Sequence, residues 1–353
     1  MKQRIKKRFL IVVSSILFIT IYFIFQLIRG ESLEDEQPIV NVFTARHYQI
    51  DNEIFKEFTN RTGIQVKEVK GTAEELIERM KQEGKDSSAD LFIAVDGGVL
   101  NFAKQSGVLQ PITSDTLLRN VPKGWRDKDN NWVGIATRSR VIVYAKERVN
   151  PNEVTTYEDL TNSQWKGKVL VRSSSSLYNI SLLASFIELS GEKEAEKWAE
   201  GIVRNLSRNP EGGDKAQAMA IATGVGDVAI MNTYYIGQMS ASSDSEEREI
   251  VSKLGVLFPN QETTGAHMNI SGIGLARHSP NKENAIKLAE FLTSREGQTM
   301  LTQGSYEFPV NREAEMPKIL RTWGDFKQQP IDIEILGDFH KKATEIFERV
   351  GWE

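Results

Sequence analysis

Pro38-Ile39-Val40-Asn41-Val42-Phe43-Thr44 reads as a buried strand, and the residues after it decide the fold. Behind Ala45-Arg46-His47-Tyr48 come Ile54, Phe55, Phe58 and Thr59, spaced to share one helix face. Ile64-Gln65-Val66-Lys67-Glu68-Val69 then alternates as a second strand, and Thr72-Ala73-Glu74-Glu75 carries a capping-box pattern that opens a second helix. Strand, helix, strand, helix implies a parallel sheet covered on both faces.

The rhythm continues outward. Asp90-Leu91-Phe92-Ile93-Ala94-Val95 is a short apolar strand ending at Asp96-Gly97-Gly98, followed by a helix from Leu100 to Ser106. The run from Arg138 to Tyr144 is strongly β-branched, Val169-Leu170-Val171-Arg172 is a further strand, and Ser173 to Ser176 are placed to cap a helix starting near Tyr178. Gly255-Val256-Leu257-Phe258 and Ile270 to Ala276 add strands. Lys282 to Leu292 reads as a helix, and Pro317 to Val350 as mostly helical. The expected fold class is α/β with two lobes and a crevice between them: residues 37–137 with 264–315 in one lobe, 138–263 with 316–353 in the other.

The amino terminus carries an address. Lys2, Arg4, Lys6, Lys7 and Arg8 precede an apolar run from Phe9 to Ile28, broken only by Ser14, Ser15, Thr20 and Gln26, and Glu31, Glu34, Asp35 and Glu36 follow. Positive charge before an apolar helix and acid after it place the start of the chain in the cytoplasm and the body outside. The run is long enough to span a bilayer, so residues 1–36 are either a cleaved signal peptide or an uncleaved membrane anchor with a short linker. A periplasmic body follows from either, with membrane contact only through this segment.

Composition narrows the chemistry. Of 44 basic residues six lie before residue 30, which leaves 38 against 48 acidic residues and a net charge of −10 for the exported part. That balance argues against nucleic acid or an anionic membrane surface as a partner. There is no cysteine, which excludes disulfides and thiolate metal sites. Any metal here must use oxygen or nitrogen.

Eight tyrosines are present, and Tyr234 and Tyr235 are adjacent, directly after the strand-like run Gly226-Asp227-Val228-Ala229-Ile230-Met231-Asn232-Thr233. Two phenols at a strand end form a pair of hard oxygen ligands suited to ferric iron. Tyr48 and Tyr178 also fall just past expected strand ends, which is where ligands sit in open parallel sheets. Tyr144, Tyr157 and Tyr306 have simpler readings as packing residues, and Tyr22 lies in the apolar amino-terminal run.

In this order the motifs Arg46-His47-Tyr48, Ala89-Asp90-Leu91-Phe92 with Asp96-Gly97-Gly98, Arg138-Ser139-Arg140-Val141-Ile142-Val143-Tyr144, Arg172 through Asn179, Gly212-Gly213-Asp214, Asn232-Thr233-Tyr234-Tyr235 and His267 through Gly272 cover much of the chain. They resemble the bacterial periplasmic ferric-iron-binding proteins, the iron branch of the type II extracellular solute-binding proteins that feed ABC importers. The resemblance implies a two-lobe type II binding-protein fold with an interlobe cleft, a monomer, and an ABC permease in the inner membrane as partner. It also implies Fe3+ as cargo, held by Tyr48, Tyr178, Tyr234 and Tyr235 with Arg138 behind them. Some relatives carry a second arginine where this chain has Gln238.

Ferric iron prefers anionic oxygen, and each phenol must lose a proton, at a reference pKa near 10, to bind it. A neighbouring guanidinium favours phenolate, the role expected of Arg138, with Arg140 two residues on able to share its strand face. His47 is a further candidate ligand, although beside Tyr48 on an extended segment its ring can point away. The serine run Ser173 to Ser176 is where a synergistic anion would sit. The alternative cargo on the same fold is a small organic cation or an oxyanion walled by the tyrosines. No Gly-x-Ser-x-Gly turn, His-Glu-x-x-His helix or phosphate-binding Gly-rich loop is present, so an enzyme is not expected.

Overall fold

The computed structural model describes residues 37–353. The expected signal or anchor helix, and Tyr22 within it, lie outside the described residues.

β1 (Ile39–Thr44) pairs in parallel with β2 (Gln65–Lys70) on one side and β3 (Leu91–Ala94) on the other. Between β1 and β2 runs the helix Gln49–Thr62, whose Ile54, Phe55 and Phe58 are buried as the spacing implied. The helix Ala73–Glu83 opens on the capping box read from sequence, with Thr72 accepting from the Glu75 amide and Glu75 closing back on Thr72. These strands and helices are the βαβαβ unit expected.

The sheet then departs from an all-parallel plan. β9 (Met268–Ala276) lies antiparallel to β3, and β5 (Trp132–Ala145) antiparallel to β9. β7 (Val228–Asn232) is antiparallel to β5 and parallel to β6 (Val169–Leu170), giving the order β2-β1-β3-β9-β5-β7-β6. β4 (Leu109–Gln110) joins β9, and β8 (Leu254–Leu257) joins β5. A strand buried on both faces shows the same continuous apolar run whichever way its neighbour points, so the sequence did not separate the two directions.

β5 organises the molecule. Its 14 residues far exceed an ordinary strand, because Trp132 to Ser139 pair with β9 while Arg140 to Ala145 pair with β7 and β8. Arg138 and Arg140 flank that change of partner, each about 98% or more buried. Apolar clusters lie on both parts, for example Val40 of β1 with Ile54 and Phe58, and Met231 of β7 with Val141 and Ile221.

The segment from Pro317 to Val350 is less helical than expected. Lys318–Thr322, Ile335–Asp338 and His340–Val350 are helices, while the residues between 322 and 335 run without regular structure through Gly324, at φ 65°, and Pro330. The short helix Ile335–Asp338 packs on both Gly97–Gln105 and Leu177–Ser190. A Cβ on Gly98 would stand 2.7 Å from the Gly337 nitrogen, so this close crossing requires glycine.

Candidate metal centre

Four tyrosines from three loops sit at helix starts. Tyr48 occupies the N-cap position of Gln49–Thr62, four residues past the end of β1, where Thr44 Oγ both accepts from the Arg46 amide and donates to the Arg46 carbonyl at 3.0 Å to shape the turn. Tyr178 lies in the first turn of Leu177–Ser190, beside Asn179, whose side-chain amide donates to the Arg172 and Ser173 carbonyls. Tyr234 and Tyr235 lie in the first turn of Thr233–Ser240, directly after β7. Thr233 Oγ accepts from the Ser139 amide at 3.3 Å and fixes that helix start to β5.

The rings converge. Tyr234 donates through its hydroxyl to that of Tyr178 at 3.2 Å, its ring lies 4.3 Å from that of Tyr235 at 32°, and Tyr48 meets it edge-on at 5.9 Å. Adjacent helical residues diverge by about 100°, so the approach of these two rings is made by their side chains and not by the backbone spacing. Two oxygens bound to one ion at about 2 Å stand roughly 3 Å apart, the spacing already present between Tyr178 and Tyr234.

Arginines back the rings, and buried acids hold the arginines. The Arg46 guanidinium lies 4.1 Å over the Tyr48 ring, and Arg138 and Arg172 lie 5.3 and 5.1 Å over Tyr178. Arg46 pairs with Asp51 at 3.0 Å and with Glu307 at 2.5 Å, and Glu307 also faces Arg138 at 3.8 Å. Arg138 donates to the Val95 carbonyl, and one of its terminal nitrogens has no hydrogen-bond partner. On the other side Asp214 faces Arg140 at 3.4 Å and Arg172 at 3.8 Å, and Arg140 donates to Asn179 at 2.8 Å. Arg138 and Arg140 therefore have different tasks: the first faces the phenols, the second holds the loop that carries Tyr178.

Burial pushes the Tyr48 phenol well above its ordinary range, with Glu307 and Tyr178 adding to the rise and Arg46 and Arg138 opposing it. Tyr234 is raised by burial and by the other three phenols, again against Arg138. Tyr235 is raised by burial, Asp214 and Tyr178, and lowered by its hydrogen bond with Tyr234 and by Arg172. Burial alone would lower the Arg138 value, but Tyr178 and Glu307 hold it above normal. Tyr48, Tyr234 and Tyr235 thus hold their protons more firmly than a free phenol does, and a small cation of high charge is what would displace several at once.

Other candidates fall elsewhere. His47 is exposed, next to the cluster in sequence but with its side chain at the surface. Gln238 donates to the Ser305 carbonyl at 3.1 Å, so the position where some relatives carry arginine is used here for a backbone contact. Ser176 is the N-cap by position, yet its buried hydroxyl makes no hydrogen bond, and Ser173 and Ser175 pair with each other. His267 is buried, its Nδ1 at 3.0 Å from Gln329, and burial lowers its pKa to about 3, so it stays neutral. Among the described residues no group of three or more histidines, aspartates or glutamates is placed to hold a metal ion.

Arg172, Asp214 and Glu307 were not singled out from sequence. Arg172 and Asp214 sat inside motifs without a role, and Glu307 was hidden between Tyr306 and Phe308 in a run that reads as packing. An acid flanked by aromatics in an apolar context was the available signal. Two cavities, of about 740 Å3 beside Phe308 and Trp125 and about 660 Å3 beside Trp132 and Ile333, are lined by none of the four tyrosines.

Known proteins are similar to this chain in sequence and fold. Iron uptake protein A1 of Synechocystis is 42% identical over 318 residues, 90% of this chain and 88% of that protein. The structure of the Trichodesmium protein called IdiA or FutA, in complex with iron and citrate, superposes with a TM-score of 0.84 at 43% identity, over 89% of this chain and all of that one. The ferric binding protein from Campylobacter jejuni gives 0.84 at 40% over the same shares. These neighbours bear out the two-lobe type II α/β fold. The model of the bacterial extracellular solute-binding protein family matches residues 86–325, and the chain belongs to that family.

Proposed function

We propose that this protein captures one ferric ion between its two lobes with the phenolates of Tyr48, Tyr178, Tyr234 and Tyr235, and hands it to an ABC permease. The observation that carries the reading is the convergence of four phenols, from three segments distant in sequence, over arginines that favour their ionised form. The relatives named for iron uptake and ferric binding support the same cargo. Lobe one comprises residues 37–137 and 264–315 and supplies Tyr48; lobe two comprises 138–263 and 316–353 and supplies the other three. The change of pairing partner within β5 supports a hinge there.

Three phenolates neutralise the ion and a fourth leaves the site at −1, which Arg138 offsets. Iron thereby completes a contact that spans the lobes, so closure depends on cargo. The body works in the periplasm as a monomeric carrier rather than an enzyme, and residues 1–36 export it as a cleaved signal or hold it to the membrane. Ser173 and Ser174, half-buried before Tyr178, leave room for an anion in the shell.

An ultraviolet difference titration tests the cargo and its ligands together. Adding gallium(III), a redox-inert stand-in for ferric iron, to the purified protein at neutral pH should ionise up to about four tyrosines per ion bound, with one ion per chain. Stoichiometric binding without tyrosine ionisation would exclude phenolate ligation.

A further inference from the structure

The acid that the tyrosine chemistry does not use is Glu307. It is fully buried, accepts from Arg46 at 2.5 Å and from Ser271 at 3.1 Å, and faces Arg138 at 3.8 Å. Its backbone is pinned on both sides. Phe308 exchanges two hydrogen bonds of 2.8 Å with Thr137 in β5, and Thr302 Oγ donates to the Glu307 carbonyl at 2.6 Å. The preceding Tyr306 sits over Gly237, where a Cβ would come within 2.6 Å of it, so the same turn of chain rests on the helix that carries Tyr234 and Tyr235.

Charge balance assigns this acid to Arg138, whose one carboxylate partner among the described residues it is, yet it reaches Arg46 as well. Arg46 already has Asp51, which accepts from its Nε through both oxygens at 3.1 and 3.0 Å. Among the described residues Glu307 is the one carboxylate ion-paired to two arginines that stack on different site tyrosines, Arg46 on Tyr48 and Arg138 on Tyr178. It stands where a negative charge acts on both arginines that back the phenols.

We propose that Glu307 is a positioning residue that sets the valence preference of the tyrosine site: its charge, held behind the arginines of both walls, favours a trivalent over a divalent ion. The inference rests on the phenolate site proposed above. A trivalent and a divalent complex of the same phenolates differ by one positive charge when both release the same number of protons, a number that the tyrosine-ionisation spectrum counts. A fixed negative charge nearby therefore shows in the ratio of the two affinities rather than in either alone. A unit charge roughly 10 Å away, acting through an effective dielectric of about 20, is worth roughly tenfold in that ratio.

The test compares gallium(III) and zinc(II) affinities, read from the ultraviolet difference spectrum of tyrosine ionisation, in the full-length protein. Glu307→Gln should narrow the trivalent-to-divalent ratio by about tenfold, while Glu307→Asp, which keeps the charge, should leave it within about twofold. Arg46→Gln removes the opposite charge and should widen the ratio, a reading that stands even if Glu307→Gln loses its fold. A merely structural acid would weaken both ions alike. An unchanged ratio in Glu307→Gln, or a narrowed one in Arg46→Gln, overturns the proposal. Wild-type protein that binds gallium without tyrosine ionisation would instead refute the phenolate site itself.

Discussion

The two sides of the tyrosine cluster are built alike but loaded unequally. After β1 stands one phenol, Tyr48, over one arginine, Arg46, held by two acids, Asp51 and Glu307. After β6 and β7 stand three phenols, with Arg140 and Arg172 held by the single acid Asp214. The difference teaches how charge follows the phenols: the side with three of them carries the surplus of arginine, and the side with one carries the surplus of acid. Arg138, at the point where β5 changes partners, faces both.

The unequal loading can be broken first at its richer side. Tyr234→Phe and Tyr235→Phe should each lower ferric affinity by more than the 10–100-fold typical of outer-shell changes. Tyr48→Phe should lower it by a comparable factor and also abolish iron-dependent compaction in small-angle scattering, because no phenol would remain after β1. If Tyr48→Phe still compacts with iron, the two sides are not bridged by the metal.

Asp214→Asn sharpens the comparison at the level of the frame. It leaves Arg140 and Arg172 buried or half-buried without an anion and should cost about 3 kcal/mol of stability by denaturant titration, with a smaller loss of iron affinity. A variant as stable as wild type would mean that Asn179 and the Ile230 carbonyl hold Arg140 on their own.

The smallest effect is on pH dependence. Tyr48, Tyr234 and Tyr235 have raised pKa values when folded, while in the unfolded chain they ionise near 10. Above pH 10 the folded, metal-free protein therefore holds protons that the unfolded chain has released, and its stability should fall as pH rises through that range. Thermal midpoints between pH 9 and 10.5 check this, and Tyr234→Phe should flatten the slope.

Much of this was legible in the sequence. The capping box at Thr72, the buried face of Ile54, Phe55 and Phe58, and the placement of Tyr48, Tyr178, Tyr234 and Tyr235 after strands all follow from local pattern. The antiparallel course of β5 and β9 did not, because a doubly buried strand carries no mark of direction. The residues between 322 and 335 resemble helix in composition, but the turn at Gly324, Pro330 and the bridge from Gln328 to Ala266 hold them irregular. Arg172, Asp214 and Glu307 escaped notice for a different reason: ion pairs between segments far apart in the chain, such as Arg46 with Glu307 across 261 positions, leave no local signature.

The most direct measurement is a visible absorption titration with ferric iron of the wild-type protein and of four single Tyr→Phe variants at 48, 178, 234 and 235, with Tyr144→Phe as control. A phenolate-to-iron charge-transfer band should saturate at one ion per chain, persist in the control, and weaken, shift or vanish in each of the four. A band unchanged in all four, or iron bound tightly with no band, would contradict the account.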